Sequence, residues 1–178
     1  MSKDTEVYAS GVRRIGAYAI DAAVLFIAFP LILGAICNLI FYFTIGVDWM
    51  RNGFLFWGYI FLTVSIPFWL YYSVLESSQR QATIGMRVLG LQVTDTEGRR
   101  ITRSRALLRT VVKLLPFELN HVVLFLSVPI WRDPHPGFRV GFIVVNALVV
   151  LYLVSIFLTR RRQSIHDIVA GTLVINAR

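Results

Sequence analysis

The sequence predicts an all-α integral membrane protein of four transmembrane helices, with a short cytoplasmic strand pair, an amphipathic helix and both termini in the cytoplasm. Hydrophobic residues fill 56% of the 178 positions, charged ones only 16%, and mean hydropathy is +0.65; a soluble domain carries roughly 25% charge. Four apolar segments, 15–43, 54–75, 111–131 and 138–159, approach or exceed the ~20 residues of a helical span. With the N-terminus inside, fifteen of the eighteen basic residues fall on the inner side, and only Arg51, Arg132 and Arg139 fall outside. That bias orients the chain with both ends in the cytoplasm.

The first segment follows Arg13 and Arg14 as the apolar core of a signal peptide would. Residues 22–43 alone extend about 33 Å, enough to cross a hydrocarbon core, so the segment reads as a retained signal anchor. Cys37, the single cysteine, lies within it, which precludes an intramolecular disulfide and reads as packing. Pro30 and Pro67 interrupt the first two spans and predict kinks. The third segment reaches span length only by admitting Lys113, Pro116, Glu118, Asn120 and His121. A three-span layout would put the Arg160, Arg161 and Arg162 cluster outside, so the charge balance favours a third crossing. Trp49, Trp57, Trp69, Tyr71, Tyr72 and Trp131 sit near segment ends, where amphipathic rings anchor at the interface.

Between the second and third segments lies a polar stretch, 76–110. Residues 88–94 read as a strand followed by a Thr-Asp-Thr-Glu-Gly turn. Residues 172–176, rich in branched side chains, predict its partner. Thr102 or Ser104 is a candidate cap for a helix starting around Arg105 and leading into the third segment. The whole chain, 1–178, reads as one membrane domain.

The formal net charge of +8 and pI near 10.3 do not indicate nucleic acid. That function needs cations on a soluble face interleaved with stacking aromatics, and here they flank apolar spans. Phosphate-cradling glycine loops, zinc-spaced cysteines and serine elbows are absent from the sequence, so neither an enzyme nor a cofactor is expected. His135, in the outer loop Asp133-Pro134-His135-Pro136-Gly137, reads as a turn residue.

Three polar constellations remain. Arg14 and Asp21 are seven residues apart and share a helix face about 10 Å apart along the axis; they form either a polar lock or part of an ion site. Ser164 and Asp167 suit a capping box. On the third segment Lys113 groups with Glu118, Asn120 and His121; Glu118 and His121 share a face, and Asn120 suits an interhelical hydrogen bond. A Glu with a His three residues on is half of a di-metal site, but the second half is not evident, so no metal is expected. Imidazole titrates near neutral pH and burial can raise a carboxyl toward it, which makes Glu118 and His121 candidates for a proton or cation.

Four motifs in order, Arg14-Ile15-Gly16-Ala17-Tyr18-Ala19-Ile20-Asp21, residues 82–93 with Thr83, Gly85 and Arg87, Leu107-Leu108-Arg109, and His166-Asp167-Ile168-Val169-Ala170-Gly171-Thr172-Leu173-Val174, resemble the RDD family of membrane proteins. The resemblance covers nearly the whole chain. It implies that Arg14, Asp21 and Asp167 are the family's name-giving arginine and aspartates. It also implies a multi-span inner-membrane protein, some relatives being associated with exchange of sodium or other monovalent cations for protons. Met86 departs from the pattern, since family members often carry lysine there.

The function expected is therefore movement or sensing of a monovalent cation or proton. Asp21, Glu118 and His121 would bind the ion, Arg14 would tune Asp21, and Arg109 with Asp167 would hold a cytoplasmic gate. Four helices enclose little pathway, so a homo-oligomer is expected. The alternative is an accessory or scaffold protein whose basic cytoplasmic face docks a partner protein or anionic lipid.

Overall fold

A computed structural model describes residues 8–126, 129, 132–133 and 140–177. Expectations for Lys3, Trp131, His135, Arg139, Arg178, the turn at 134–137 and the segment ends at 131 and 138 lie outside those residues.

Among the described residues three helices are long and apolar enough to cross a membrane: α1, Gly11–Ile45; α2, Gly53–Glu76; and α5, Val140–Leu158. Their large side chains are widely exposed, among them Leu31, Phe43, Leu62, Val140 and Leu158, as lipid-facing helices require. The third predicted segment is helical too: α4, Arg103–His121, continues into a π-helical turn, Val122–Leu126. It is not among the three spanning candidates, and Arg105, Arg109, Lys113 and Glu118 on it are the evident reason. Between α2 and α4 come a short helix α3, Ile84–Val88, and strand β1, Leu91–Asp95. After α5 come α6, Ile165–Ala170, and β2, Thr172–Asn176.

The prolines leave local marks. Pro30 lies inside a π-helical stretch, Ile27–Gly34, and Pro67 follows another, Phe61–Ser65; widening the helix relieves the clash of the ring with the preceding turn. Pro116 instead stays within regular helix. Its missing N–H frees the carbonyl of Val112 four residues earlier, and the Tyr152 hydroxyl donates to that carbonyl at 2.8 Å.

The chain divides into two compact units. One comprises Met1–Val24, Trp69–Lys113 and Val150–Arg178. Its core is built from Ala9, Ala17, Ala82, Met86, Leu91, Val93, Ile101, Ala106 and Val174, with Tyr18 and Leu89 against it. β1 and β2 pair antiparallel with Val93 opposite Val174, and Tyr8 bridges to Ile175. The predicted strand thus exists, but it begins at Leu91, not at residue 88. Thr83 caps α3 by accepting from Met86 N at 3.3 Å, and Gly90, with φ +59°, turns the chain into β1. Thr102 caps α4, accepting from Arg105 N at 3.3 Å.

The other unit comprises Leu25–Phe68 and Leu114–Val149. Aromatic packing dominates it: Phe68 stacks on Phe117 with centroids 5.4 Å apart, Phe26 meets both edge-on, and Phe56 meets Phe125 at 5.1 Å.

Candidate functional site

Asp167 is placed by α6. Ser164 precedes that helix, and Asp167 accepts Ser164 N at 2.9 Å through Oδ2, the returning arm of a capping box. The same oxygen accepts Arg14 Nη2, while Oδ1 accepts Arg109 Nη2 at 2.8 Å and Arg109 Nε at 3.1 Å. Arg109 reaches on through Nη1 to Glu76 Oε2. Glu76 Oε1 in turn accepts Lys113 Nζ at 2.6 Å, and that ammonium lies 4.0 Å from the centroid of Tyr72. Arg14, Asp167, Arg109, Glu76 and Lys113 form one alternating chain of three cations and two carboxylates. The first four are 0–1% exposed, so every charge in that stretch depends on its neighbour rather than on water.

Arg14 is fixed from three sides. Besides Asp167 it donates to Tyr18 Oη at 3.0 Å and to the carbonyl of Arg162. Arg162 has φ +52°, a left-handed conformation uncommon outside glycine, and its carbonyl is the one Arg14 takes. The Tyr18 hydroxyl, already accepting from Arg14, lies 3.3 Å from His166 Nε2.

Burial pushes the His166 imidazole well below its usual range, with Arg109, Lys113 and Arg14 adding to the shift, so the ring is neutral. Burial alone would raise the Asp167 carboxyl, but the Arg14 and Arg109 guanidinium groups hold it far below the carboxylate range. Burial would likewise lower Arg109, but Glu76 and Asp167 drive it above the ordinary arginine value.

Asp21 is built into a separate knot. Its Oδ1 accepts the Tyr71 hydroxyl at 2.6 Å and Gly85 N at 2.7 Å, and its Oδ2 accepts the Thr83 hydroxyl at 2.6 Å. Tyr71 closes the knot by accepting Ile84 N at 3.1 Å. A Cβ on Gly85 would collide with the carbonyl oxygen of Ala17 and lie 3.0 Å from Asp21 Cγ, so only glycine lets α3 approach α1 this closely. Arg87 is exposed and donates to the Ala82 carbonyl at 3.0 Å.

Arg14 and Asp21 therefore do not pair, because two helical turns separate them and each meets a different part of the chain. Lys113 likewise joins Glu76 instead of the Glu118 group. The sequence puts Glu76 at the cytoplasmic boundary with Arg14, Arg109 and Asp167, but it does not reveal that Glu76 bridges Arg109 and Lys113. Arg109 and Lys113, four apart on one helix face, were the signal that a single acidic partner serves both. Met86, the position that departs from the resemblance, is 1% exposed in the apolar core.

Glu118 and His121 belong to the second unit. Glu118 Oε2 accepts the Ser65 hydroxyl at 2.9 Å and lies 3.7 Å from His121 Nδ1. His121 is buried, and its ring centroid is 4.3 Å from that of Phe117. Among the described residues no group of three or more His, Cys, Asp or Glu side chains is arranged to hold a metal.

No curated protein and no solved structure matches the chain. The family model described as RDD family matches residues 8–171; nearly the whole chain is covered, and this membrane protein belongs to the RDD family.

Proposed function

We propose that the protein handles a proton or monovalent cation through Glu118 and His121, while the Arg14, Asp167, Arg109 and Glu76 chain fastens the fold. One observation carries the reading: Glu118 hydrogen-bonds Ser65, which lies 12 residues after Gly53 and 11 before Glu76. At 1.5 Å per residue, that serine is about 17 Å from either end of α2. A carboxylate held at mid-span beside an imidazole is costly unless it serves a pathway. Ser65 ends one π-helical stretch and His121 immediately precedes another, the widened turns that recur at functional sites.

Asp21 is not assigned an ion in this reading, because both its oxygens already accept hydrogen bonds from protein donors. The proposed topology adds a fourth span that begins in α4 after Arg109, with both termini in the cytoplasm and the protein in the inner (plasma) membrane. The charge bias supports it, since an even number of spans keeps Arg99 to Arg109 and Arg160 to Arg162 on one side. Proteoliposome flux of protons and sodium is the test. Wild-type flux above empty vesicles that is abolished by Glu118→Gln and reduced by His121→Gln supports the proposal; no wild-type flux, or unchanged flux in both variants, rejects it.

A second reading is an accessory protein docking an anionic lipid or a partner protein on its basic face. Exposed Arg80, Arg100, Arg103, Arg160 and Arg161 favour it, since none has an ion-pair partner among the described residues.

A further inference from the structure

A groove of about 510 Å³ opens along α2 and α4, lined by Leu70, Ser73, Val74, Ser77, Ser78, Arg103 and Leu107. Its volume is within the range of small-molecule sites, and its chemistry is graded. Leu70, Val74 and Leu107 are exposed apolar walls. Leu70 and Val74 lie within the last two turns of the α2 span, where acyl chains surround the protein. Ser77 and Ser78 come just after Glu76, the last residue of that span, and Arg103 is the first residue of α4. The groove is therefore apolar on the membrane side and polar with one cation at the boundary, the polarity order of a phospholipid.

The hydroxyls narrow the headgroup. Ser73 donates to the Trp69 carbonyl at 2.6 Å, Ser77 to the Ser73 carbonyl at 2.7 Å and Ser78 to the Leu75 carbonyl at 2.6 Å. Each proton is used within the protein, so the hydroxyls of these groove-lining serines are left with acceptor capacity for a ligand. Arg103 is exposed and has no partner among the described residues, leaving its five donors for a phosphate. A ligand that offers an anionic phosphate, hydroxyl donors and alkyl chains satisfies all three parts.

We infer that this groove is a site for one anionic phospholipid with a hydroxyl-bearing headgroup, of the phosphatidylglycerol type. The phosphate pairs with Arg103, the glycerol hydroxyls donate to Ser77 and Ser78, and an acyl chain runs along Leu70, Val74 and Leu107. The inference rests on the second reading for its cationic boundary and on no part of the flux proposal, so vesicle flux leaves it unaffected.

The test is native mass spectrometry of the full-length protein in detergent titrated with phosphatidylglycerol, phosphatidylcholine or phosphatidic acid. One phosphatidylglycerol per chain is expected to stay bound, with phosphatidic acid weaker and phosphatidylcholine not retained. Arg103→Gln weakens the phosphatidylglycerol complex about five-fold, the factor for one basic side chain near an anionic surface. Ser77→Leu, which fills the groove, weakens it at least as much. The variant Arg51→Gln removes an exposed cation that precedes α2 and does not line the groove, and it binds as wild type. Unchanged binding in Arg103→Gln, equal retention of phosphatidylcholine, equal loss in the Arg51 variant, or a co-purifying protein that blocks the lipid each overturns the inference.

Discussion

Asp167 carries two arginines on one carboxylate, so neutralising it leaves two buried guanidinium charges without their counter-charge. Asp167→Asn is expected to lower stability by about 3 to 5 kcal/mol, the cost of breaking a buried pair from one side. Asp21 accepts three neutral donors and meets no arginine, so Asp21→Asn is expected to cost only about 1 to 3 kcal/mol. Thermal unfolding of the purified protein in detergent ranks them, and an equal or reversed order contradicts the pairing seen here. The histidine next door sets a pH dependence. His166 stays neutral in the fold, against Arg14 and Tyr18 of α1, Arg109 and Lys113 of α4, Tyr152 of α5 and Asp167 beside it. The unfolded chain protonates this imidazole below about pH 6.5 while the folded one does not, so stability falls as pH drops through that value. Asp167, with its folded pKa depressed, adds a loss in the same direction once pH falls below about 3.9, where the unfolded carboxyl begins to protonate. His166→Gln is expected to flatten the decline between pH 7.5 and 5.5 in the same melting assay, whereas an unchanged slope contradicts the assignment.

Periodicity made the elements legible but not their partners. The apolar runs at 15–43 and 54–75 became α1 and α2 with boundaries shifted by a few residues, and the branched residues 172–176 became β2. Residues 88 and 89 misled because their apolar character serves the end of a capped short helix and the turn after it, not a strand. The same limit governs the polar site. Seven-residue spacing put Arg14 and Asp21 on one face, but the carboxylate that pairs with Arg14 comes from 153 residues away and the donors to Asp21 from 50 to 64 residues away, which no local pattern reveals. Two element-scale consequences are measurable. Gly85→Ala pushes α3 off α1 and breaks the Asp21 knot, so it is expected to destabilise at least as much as Asp21→Asn. Tyr152→Phe leaves the Val112 carbonyl without a donor and is expected to cost about 1 kcal/mol. Pro116→Ala restores the helical N–H, so Tyr152→Phe costs less in that background; strict additivity of the pair contradicts the link.

At the scale of the whole molecule, topology and function separate into independent tests. In a Cys37→Ser background, Glu97→Cys is expected to react with a membrane-impermeant thiol reagent only from the cytoplasmic side, and Asp48→Cys only from the outside. Both positions are well exposed, and labelling from the same side contradicts the four-span layout. Asp21 and Asp167 act as fasteners. Asp21 ties α3 to α1, Asp167 ties α6 to α1 and α4, and the mid-span chemistry proposed for the protein falls to Glu118 and His121. Flux per folded molecule in proteoliposomes tests that division most directly. Asp167→Asn is expected to reduce the amount of folded protein while each molecule keeps wild-type flux, and Glu118→Gln to keep the protein while flux per molecule is lost. Full flux per molecule in Glu118→Gln together with its loss in Asp167→Asn would contradict the account.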